Sequence, residues 1–326
     1  MSFRFASFNM YKYQAYRSDN EIRKNIGLIA RIIRESEIDI IGLQEIFSKT
    51  AMDLLIRELG PDYWTGHHEI PLARTASAAE GYAFVWNTRR FRPSSYVNPR
   101  GEVRIFFPRI YYQYRVDWGN GQASLIRNPL FGRFTPLSCP ECEFRLINAH
   151  IMYNRSVIHE ELNPRTNELP DPEMRRNEHR ILAKALYPTL ADKVYGNGLP
   201  SYTILMGDYN LNLIGSNAGG PYISPQDEVI LLPGGARVKC IRTVQEKKTT
   251  LKRPPQDDSA PDPNANDYWA NNYDHFTYDV NRFEGIGVRT ERVNSVGGYC
   301  KDYVEHRRVI SDHVPIIIDI DLRGGK

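Results

Sequence analysis

The sequence predicts a layered α/β protein. Two patterns carry that expectation: short apolar runs that each end in polar residues, and two longer stretches with apolar residues at helical spacing. A third observation is size. The chain has 326 residues, 41% of them hydrophobic, which suffices for a substantial core, and no apolar run approaches the ~20 residues needed to cross a membrane as a helix.

The elements follow in order. Phe3-Arg4-Phe5-Ala6-Ser7-Phe8-Asn9 alternates apolar with small or polar residues and reads as a strand. Ser18 to Glu21 offers a capping box, and Ile22, Ile26, Ile29 and Ile33 recur at helical spacing, so 20–36 reads as an amphipathic helix. Ile38 to Leu43 is a buried-strand run that ends in Gln44-Glu45. Tyr82-Ala83-Phe84-Val85-Trp86 is a strand preceded by Glu80. Phe144 to Ala149 is a strand ending at His150. Residues 173–194 read as a helix, with Ile181, Leu182, Ala185 and Leu186 on its apolar side. Tyr202 to Met206 is a strand ending in Gly207-Asp208-Tyr209-Asn210, and Val314 to Ile318 is a strand that follows Asp312-His313. Residues 245–272 break the pattern with Lys247-Lys248, Pro254-Pro255, Asp257-Asp258, Pro261 and Pro263, a composition that favours a mobile surface loop. No fixed-period repeat or domain boundary stands out, so 1–326 reads as one domain.

Charge excludes little. Forty-two basic and 39 acidic residues leave a net charge of +3, which neither demands nor excludes a nucleic-acid partner, because a basic groove can sit on a balanced surface. The N-terminus lacks the charged-then-apolar layout of a secretory leader, so a cytoplasmic location is expected. Cys139-Pro-Glu-Cys142 has the spacing of half a zinc site, but Cys240 and Cys300 stand far apart. The simpler reading is a turn between strands with reduced thiols, and zinc binding by these four stays open at this level.

The strand ends carry the chemistry. Glu45, Asp208 and Asp312, with the amides of Asn9 and Asn210, are oxygen ligands of the kind hard cations prefer. Zinc-like pairing of histidines and cysteines is missing, which favours magnesium or manganese. His150 and His313 can exchange a proton near neutral pH. Carboxylates, amides and two histidines in one cleft suit hydrolysis of a phosphate ester.

Six pieces stand in one order: Ser7-Phe8-Asn9, Leu43-Gln44-Glu45, Asn148-Ala149-His150, Gly207-Asp208-Tyr209-Asn210, Tyr273-Asp274-His275 and Ser311-Asp312-His313. In these the chain resembles the endonuclease/exonuclease/phosphatase superfamily and, within it, deoxyribonuclease I. The resemblance spans nearly the whole chain and implies a deoxyribonuclease I-like fold, two mixed β-sheets packed as a four-layer sandwich flanked by helices. It implies Glu45 as the main metal ligand, helped by Asn9 and Asp312, with Asp208 also near the metal; the cofactor is expected to be Mg2+, with Mn2+ or Ca2+ as alternatives. It implies that Asp208 and Asn210 orient water or the scissile phosphate, that His313 moves a proton under the control of Asp274, and that His150 binds or protonates a phosphate oxygen. Glu80 stands where that enzyme has a glutamate paired with the first histidine, and Arg127 where it has an arginine on phosphate.

The resemblance also has departures. Tyr11, Phe47 and Ala78 stand where basic and aromatic groove contacts are expected, so the grip on duplex DNA reads as altered. Lys12, Arg127 and the stretch with Lys247, Lys248, Lys252 and Arg253 are candidates to compensate, and Tyr11 and Tyr13 to stack the bases of a single strand. The leading expectation is a metal-dependent deoxyribonuclease. The alternative is a phosphatase or phosphodiesterase of inositol phosphates or phospholipid headgroups. A catalytically dead binding module is disfavoured, because no metal acid or histidine is lost.

Overall fold

The computed structural model describes residues 1–14, 24–71, 80–111, 115–117, 122–153, 171–214, 222–223, 228–231, 238–254 and 268–323. The elements used below are, along the chain, β1 (Ser2–Tyr13), α1 (Ile26–Glu35), β2 (Ile40–Ile46), α2 (Lys49–Leu59), β3 (Trp64–Glu69), β4 (Gly81–Asn87), β5 (Phe91–Pro93), β6 (Leu130–Pro136), β7 (Glu143–His150) and α3 (Asp171–Ile181). A π-turn at Leu182–Leu186 joins α3 to α4 (Tyr187–Asp192). Then come β8 (Ser201–Asp208), β9 (Glu228–Leu231), β10 (Val238–Val244), β11 (Asp274–Asp279), β12 (Gly287–Arg292), α5 (Ser295–Tyr299), α6 (Tyr303–Val309) and β13 (Ile316–Asp321).

Two mixed sheets form. One runs β12-β13-β1-β2-β4-β3 and the other β9-β10-β11-β8-β7-β6-β5, with Arg109–Ile110 added beside β6. β1 lies parallel to β2 and antiparallel to β13, and β7 lies parallel to β8, which is antiparallel to β11. The sandwich core between the sheets takes every second residue: Phe3 and Phe5 from β1, Phe84 from β4, Phe134 from β6, Phe144 and Leu146 from β7, Ile204 and Met206 from β8. Their rings meet edge to face, as in the pairs Phe3–Phe144 at 5.3 Å and Phe84–Phe134 at 5.5 Å. Such pairs add about 0.5–1.5 kcal/mol each beyond area burial.

The outer faces carry helices. α1 and α2 set Ile29, Ile32, Ile33, Met52 and Leu55 against Phe8, Ile41 and Leu43. The α3–α4 segment sets Ile181, Leu182, Leu186 and Leu190 against Ile147 and Leu205. The result is the four-layer arrangement, with helices outside two sheets. No helix among the described residues is long and apolar enough to cross a membrane.

Boundaries differ from the sequence expectation where local bonds decide. α1 starts at Ile26 because the Asn25 side chain accepts the Leu28 N–H and caps it; the Ser18–Glu21 box lies outside the described residues. The helix expected over 173–194 runs 171–192 with the π-turn inside it. The last strand begins at Ile316, not Val314, because Thr249 accepts the Val314 N–H and His313 bridges Thr250. That contact also revises the loop expected over 245–272. Its two flanks pair with each other, Lys252 N–H donating to Tyr268 O and Ala270 N–H to Thr250 O, while residues 255–267 lie outside the described residues. The Cys139–Cys142 stretch is a turn between β6 and β7, with both cysteines buried and free.

Gly207 holds the two central strands at their closest. Its φ is +147°, and a Cβ built there would lie 1.8 Å from the Ala149 carbonyl oxygen. Only glycine accepts both the conformation and the approach. Gly207→Ala is therefore expected to destabilise the fold by about 3 kcal/mol or more, the sum of backbone strain and overpacking. Urea unfolding measures this, and a midpoint like that of the wild type refutes it.

Candidate active site

The site lies where the inter-sheet layer turns from apolar to polar. On β1 the same face reads Phe3, Phe5, Ser7, Asn9; on β7 it reads Phe144, Leu146, Asn148, His150; on β8 it reads Ile204, Met206, Asp208. Period-two alternation thus delivers a polar residue from each strand to one end of the core. Strand register aligns them: His150 stands opposite Asp208, and Asp208 opposite Asp274.

Backbone distortions aim the rest. β1 bulges after Asn9, with Tyr11 at φ 44° and Lys12 at φ 55°. The turn lets the Asn9 side-chain oxygen accept the Tyr11 N–H at 2.9 Å, and Glu45 Oε2 accept the Lys12 N–H at 2.9 Å. Glu45 itself has φ 59° and Asn210 has φ 49°. Non-glycine residues in this left-handed region are uncommon and cluster at functional sites.

Asn9 Nδ2 donates to both Glu45 Oε1 at 3.1 Å and Asp208 Oδ2 at 3.0 Å. Asp208 sits between two histidines, 3.5 Å from His150 Nε2 and 3.6 Å from His313 Nε2. Each histidine has a second carboxylate behind it. His313 Nδ1 lies 2.8 Å from Asp274 Oδ2, and His150 Nδ1 lies 2.9 Å from Glu80 Oε2. Arg127 joins the second pair, its guanidinium donating to Glu80 Oε1 at 2.7 Å and lying 3.0 Å from His150 Nδ1. One Nδ1 cannot donate to Glu80 and accept from Arg127 at once, so the proton on this ring decides which contact is a hydrogen bond.

Burial and Arg127 work against a charge on His150, but the carboxylates of Glu80 and Asp208 lift its pKa above the ordinary histidine value. Burial likewise disfavours a charged Glu80, yet His150 and Arg127 hold its carboxyl below the ordinary range. Burial also opposes a charge on His313, while Asp274 and then Asp208 overcome it and push the ring up to about 10. Asp208 is pushed up to about 6 by burial, against the pull of both histidines.

The donor set fits a hard cation. Glu45 and Asp208 share a single amide group, and Asp312 Oδ1 is buried without a hydrogen-bond partner. Ligand atoms of Glu45, Glu80 and His150 lie within 4.8 Å of one another. Carboxylate and amide oxygens suit Mg2+, Mn2+ or Ca2+ better than a thiolate-seeking ion. Of the expected ligands, Asn9, Glu45 and Asp208 are in direct contact. Asp312 lines the same cleft, but its other oxygen is tied to Arg307 at 3.1 Å.

All ten residues expected at the site line one open cleft of about 520 Å3 except Asp274, which lies behind His313. Asn210 is placed structurally as well: its backbone N–H donates to Asp208 Oδ1 at 2.8 Å, and its side chain donates to Ile151 O at 2.7 Å. Tyr11, Lys252 and Arg253 line the cleft, whereas Lys12, Lys247 and Lys248 do not. Phe47 is half-buried and Ala78 lies outside the described residues. His67 and His68 lie in β3 against Glu69 and Ile46 O. Sequence reasoning missed Arg307 and Tyr153, both on the cleft wall, because neither adjoins one of the ordered motifs.

Comparison with known proteins identifies the family and the fold. The model of the Endonuclease/Exonuclease/phosphatase family matches residues 6–277. Among solved structures, an endonuclease/exonuclease/phosphatase from Bacteroides vulgatus is similar at 14% identity and TM-score 0.53, covering 99% of each chain. ANGEL2, described as a 2',3'-cyclic phosphatase, is similar at 15% identity and TM-score 0.53, covering 99% of this chain and 95% of its own. At such identities the likeness establishes the fold. No curated protein matches the sequence.

The electrostatics set a pH dependence of stability. His313 binds its proton more tightly folded, at about 10, than at the ordinary 6.5. Its stabilising contribution is thus fully present below about 6.5 and is lost as pH rises toward 10. In chelator, the melting temperature of the wild type is expected to fall over this window, and the fall is expected to be shallower in His313→Gln. Parallel curves in a thermal-melt series refute the assignment.

Proposed function

This chain belongs to the endonuclease/exonuclease/phosphatase family, whose members hydrolyse phosphoester bonds, and on that premise we propose that it is a divalent-cation-dependent endonuclease of DNA. The observation that carries the proposal is the pair of histidine–carboxylate units, Glu80–His150 and Asp274–His313, that face one another across Asp208. Hydrolysis of a phosphodiester needs a proton removed from the attacking water and another given to the departing sugar oxygen. Two proton-holding rings on either side of a carboxylate provide for both ends of an in-line displacement.

Glu45 holds the cation, with Asn9, Asp208 and Asp312 as further oxygen ligands. When bound, the cation supplies positive charge against the phosphate oxygens. Arg127 faces a phosphate oxygen as a planar donor. His313, with Asp274 behind it, moves a proton at the reacting oxygens, and His150, with Glu80 behind it, binds or protonates a phosphate oxygen. Asp208, held in place by the Asn210 N–H, orients the attacking water, which a histidine–carboxylate pair activates.

A nucleic acid is favoured by the walls of the cleft. Arg127, Arg307, Lys252 and Arg253 are set among the rings of Tyr11, Tyr153 and Tyr273. Cations that follow a backbone and aromatic faces that accept bases are the elements of nucleic-acid grooves. The altered groove positions Tyr11 and Phe47 point to a weak preference for duplex over single strands.

Purified protein with Mg2+ should be given supercoiled plasmid, single-stranded DNA, RNA and inositol phosphates. DNA cleavage abolished by chelator is expected. Vigorous hydrolysis of inositol phosphates without nucleic-acid cleavage overturns the nuclease reading in favour of a phosphatase. Glu45→Gln is expected to lower the rate at least about a hundredfold at low Mg2+, because the charge that holds the cation is gone. His150→Ala and His313→Ala are each expected to lose roughly 10²–10⁴ in kcat. Arg127→Ala should weaken all sequences alike and reduce the salt slope of binding by about one contact. Near-normal kinetics in any of these variants removes that residue from the mechanism.

A further inference from the structure

Behind the site, on the outer face of the second sheet, α3 presents two charged residues one turn apart, Arg175 and Glu178. Both are buried, at 6% and 3% exposure, where a charge is costly to place. Glu178 is the more unusual, because burial raises the pKa of its carboxyl above the ordinary value. Its partners are backbone groups of two separate loops. Oε1 accepts the Ile126 N–H at 2.7 Å and Oε2 accepts the Met152 N–H at 3.4 Å. Ile126 is the residue before Arg127, and Met152 is two residues after His150. One carboxylate thus fastens both segments that bring the Arg127 guanidinium to 3.0 Å from His150 Nδ1.

Arg175 does the same for the neighbouring segment. Its guanidinium donates to Asn210 O at 2.9 Å and lies over the Tyr153 ring at 4.7 Å. Asn210 in turn donates its backbone N–H to Asp208. The i,i+3 spacing on α3 puts both groups on one face, aimed at the three segments that precede Arg127 and follow His150 and Asp208.

We propose that Glu178 is a positioning residue for phosphodiester hydrolysis, acting through the Arg127–His150 contact without touching substrate. The proposal rests on the reading of the cleft as a phosphodiesterase site. Its physical basis is that a carboxylate accepts from two N–H groups, whereas an amide in the same place turns an NH2 toward one of them. In Glu178→Gln one loop is released, Arg127 loses its fixed register against Glu80 and His150, and kcat falls while KM changes little. Small misplacements remote from the reacting atoms can cost up to about a hundredfold.

The test is a double-mutant cycle on bis(4-nitrophenyl) phosphate with Mg2+, using wild type, Glu178→Gln, Arg127→Ala and the double variant. Glu178→Asp, which keeps the charge but withdraws the carboxylate, serves as a second probe should Glu178→Gln fold poorly. A fall in kcat of roughly 10- to 100-fold for Glu178→Gln is expected in the wild-type background, and a much smaller fall in the Arg127→Ala background, because coupled groups are not additive. Amide exchange at Ile126 or Met152 should rise in the same variant. Equal falls in both backgrounds, or unchanged exchange at both amides, overturn the positioning role. A wild-type protein that cleaves neither this diester nor nucleic acid overturns the phosphodiesterase reading itself, a failure visible before any variant is made.

Discussion

At the level of the site the two sheets are fastened by buried side-chain hydrogen bonds, the shortest of them Gln44 Nε2 donating to Asn148 Oδ1 at 2.6 Å. Gln44 belongs to β2 and Asn148 to β7, so the bond spans the sandwich. Asn148 also donates to the carbonyls of Leu43 and Ala83, and Gln44 to Ser7 Oγ. Below this level the sheets meet through rings and aliphatic chains, which hold distance but tolerate sliding. Amides hold direction as well, because a buried donor that loses its partner costs about 1–3 kcal/mol. Glu45 is the next residue after Gln44 and Ala149-His150 the next two after Asn148. The separation of cation ligand and histidine is therefore set by this bond.

Within each sheet the position of the reacting groups follows from register. β7, β8 and β11 place His150, Asp208 and Asp274 side by side, and no one-residue slip is allowed, since it would turn the apolar row outward. The closeness of Glu80, Asp208 and Asp274 would repel them if nothing stood between. Arg127, His150 and His313 supply that separation, each lying between or against these carboxylates. The network is dense in a region of low dielectric, where partial satisfaction is costly. This explains why supports such as Glu178 and Arg175 reach in from the helical layer, and why Arg307 both pairs with Asp312 and donates to Leu251 O.

The stretch 247–254 shows how composition misleads. Prolines and paired charges made 245–272 read as a loop free of the fold. Thr249 is fully buried, its hydroxyl accepts the N–H groups of Tyr273 and Asp274, and its backbone meets Val314. This flank supports both members of the Asp274–His313 pair. A side-chain hydroxyl used as a backbone acceptor leaves no periodicity behind, so the pattern could not reveal it.

Much of the site was legible because strands alternate. Apolar runs marked each strand, and the polar residues at the strand ends were read as one rim of the core; Asn9, Glu45, His150, Asp208 and His313 were found that way, and their order carried the family resemblance. Glu80 and Arg127 came only from that resemblance, since nothing in their own surroundings marks them. The sequence by itself thus determined the sheets, the polar rim and the residue types of the chemistry. Only the tertiary structure decided that Asp208 stands between the two rings and that Glu178 and Arg175 stand behind the site. Those choices depend on contacts between residues tens to hundreds of positions apart, and such contacts have no spacing from which to be read.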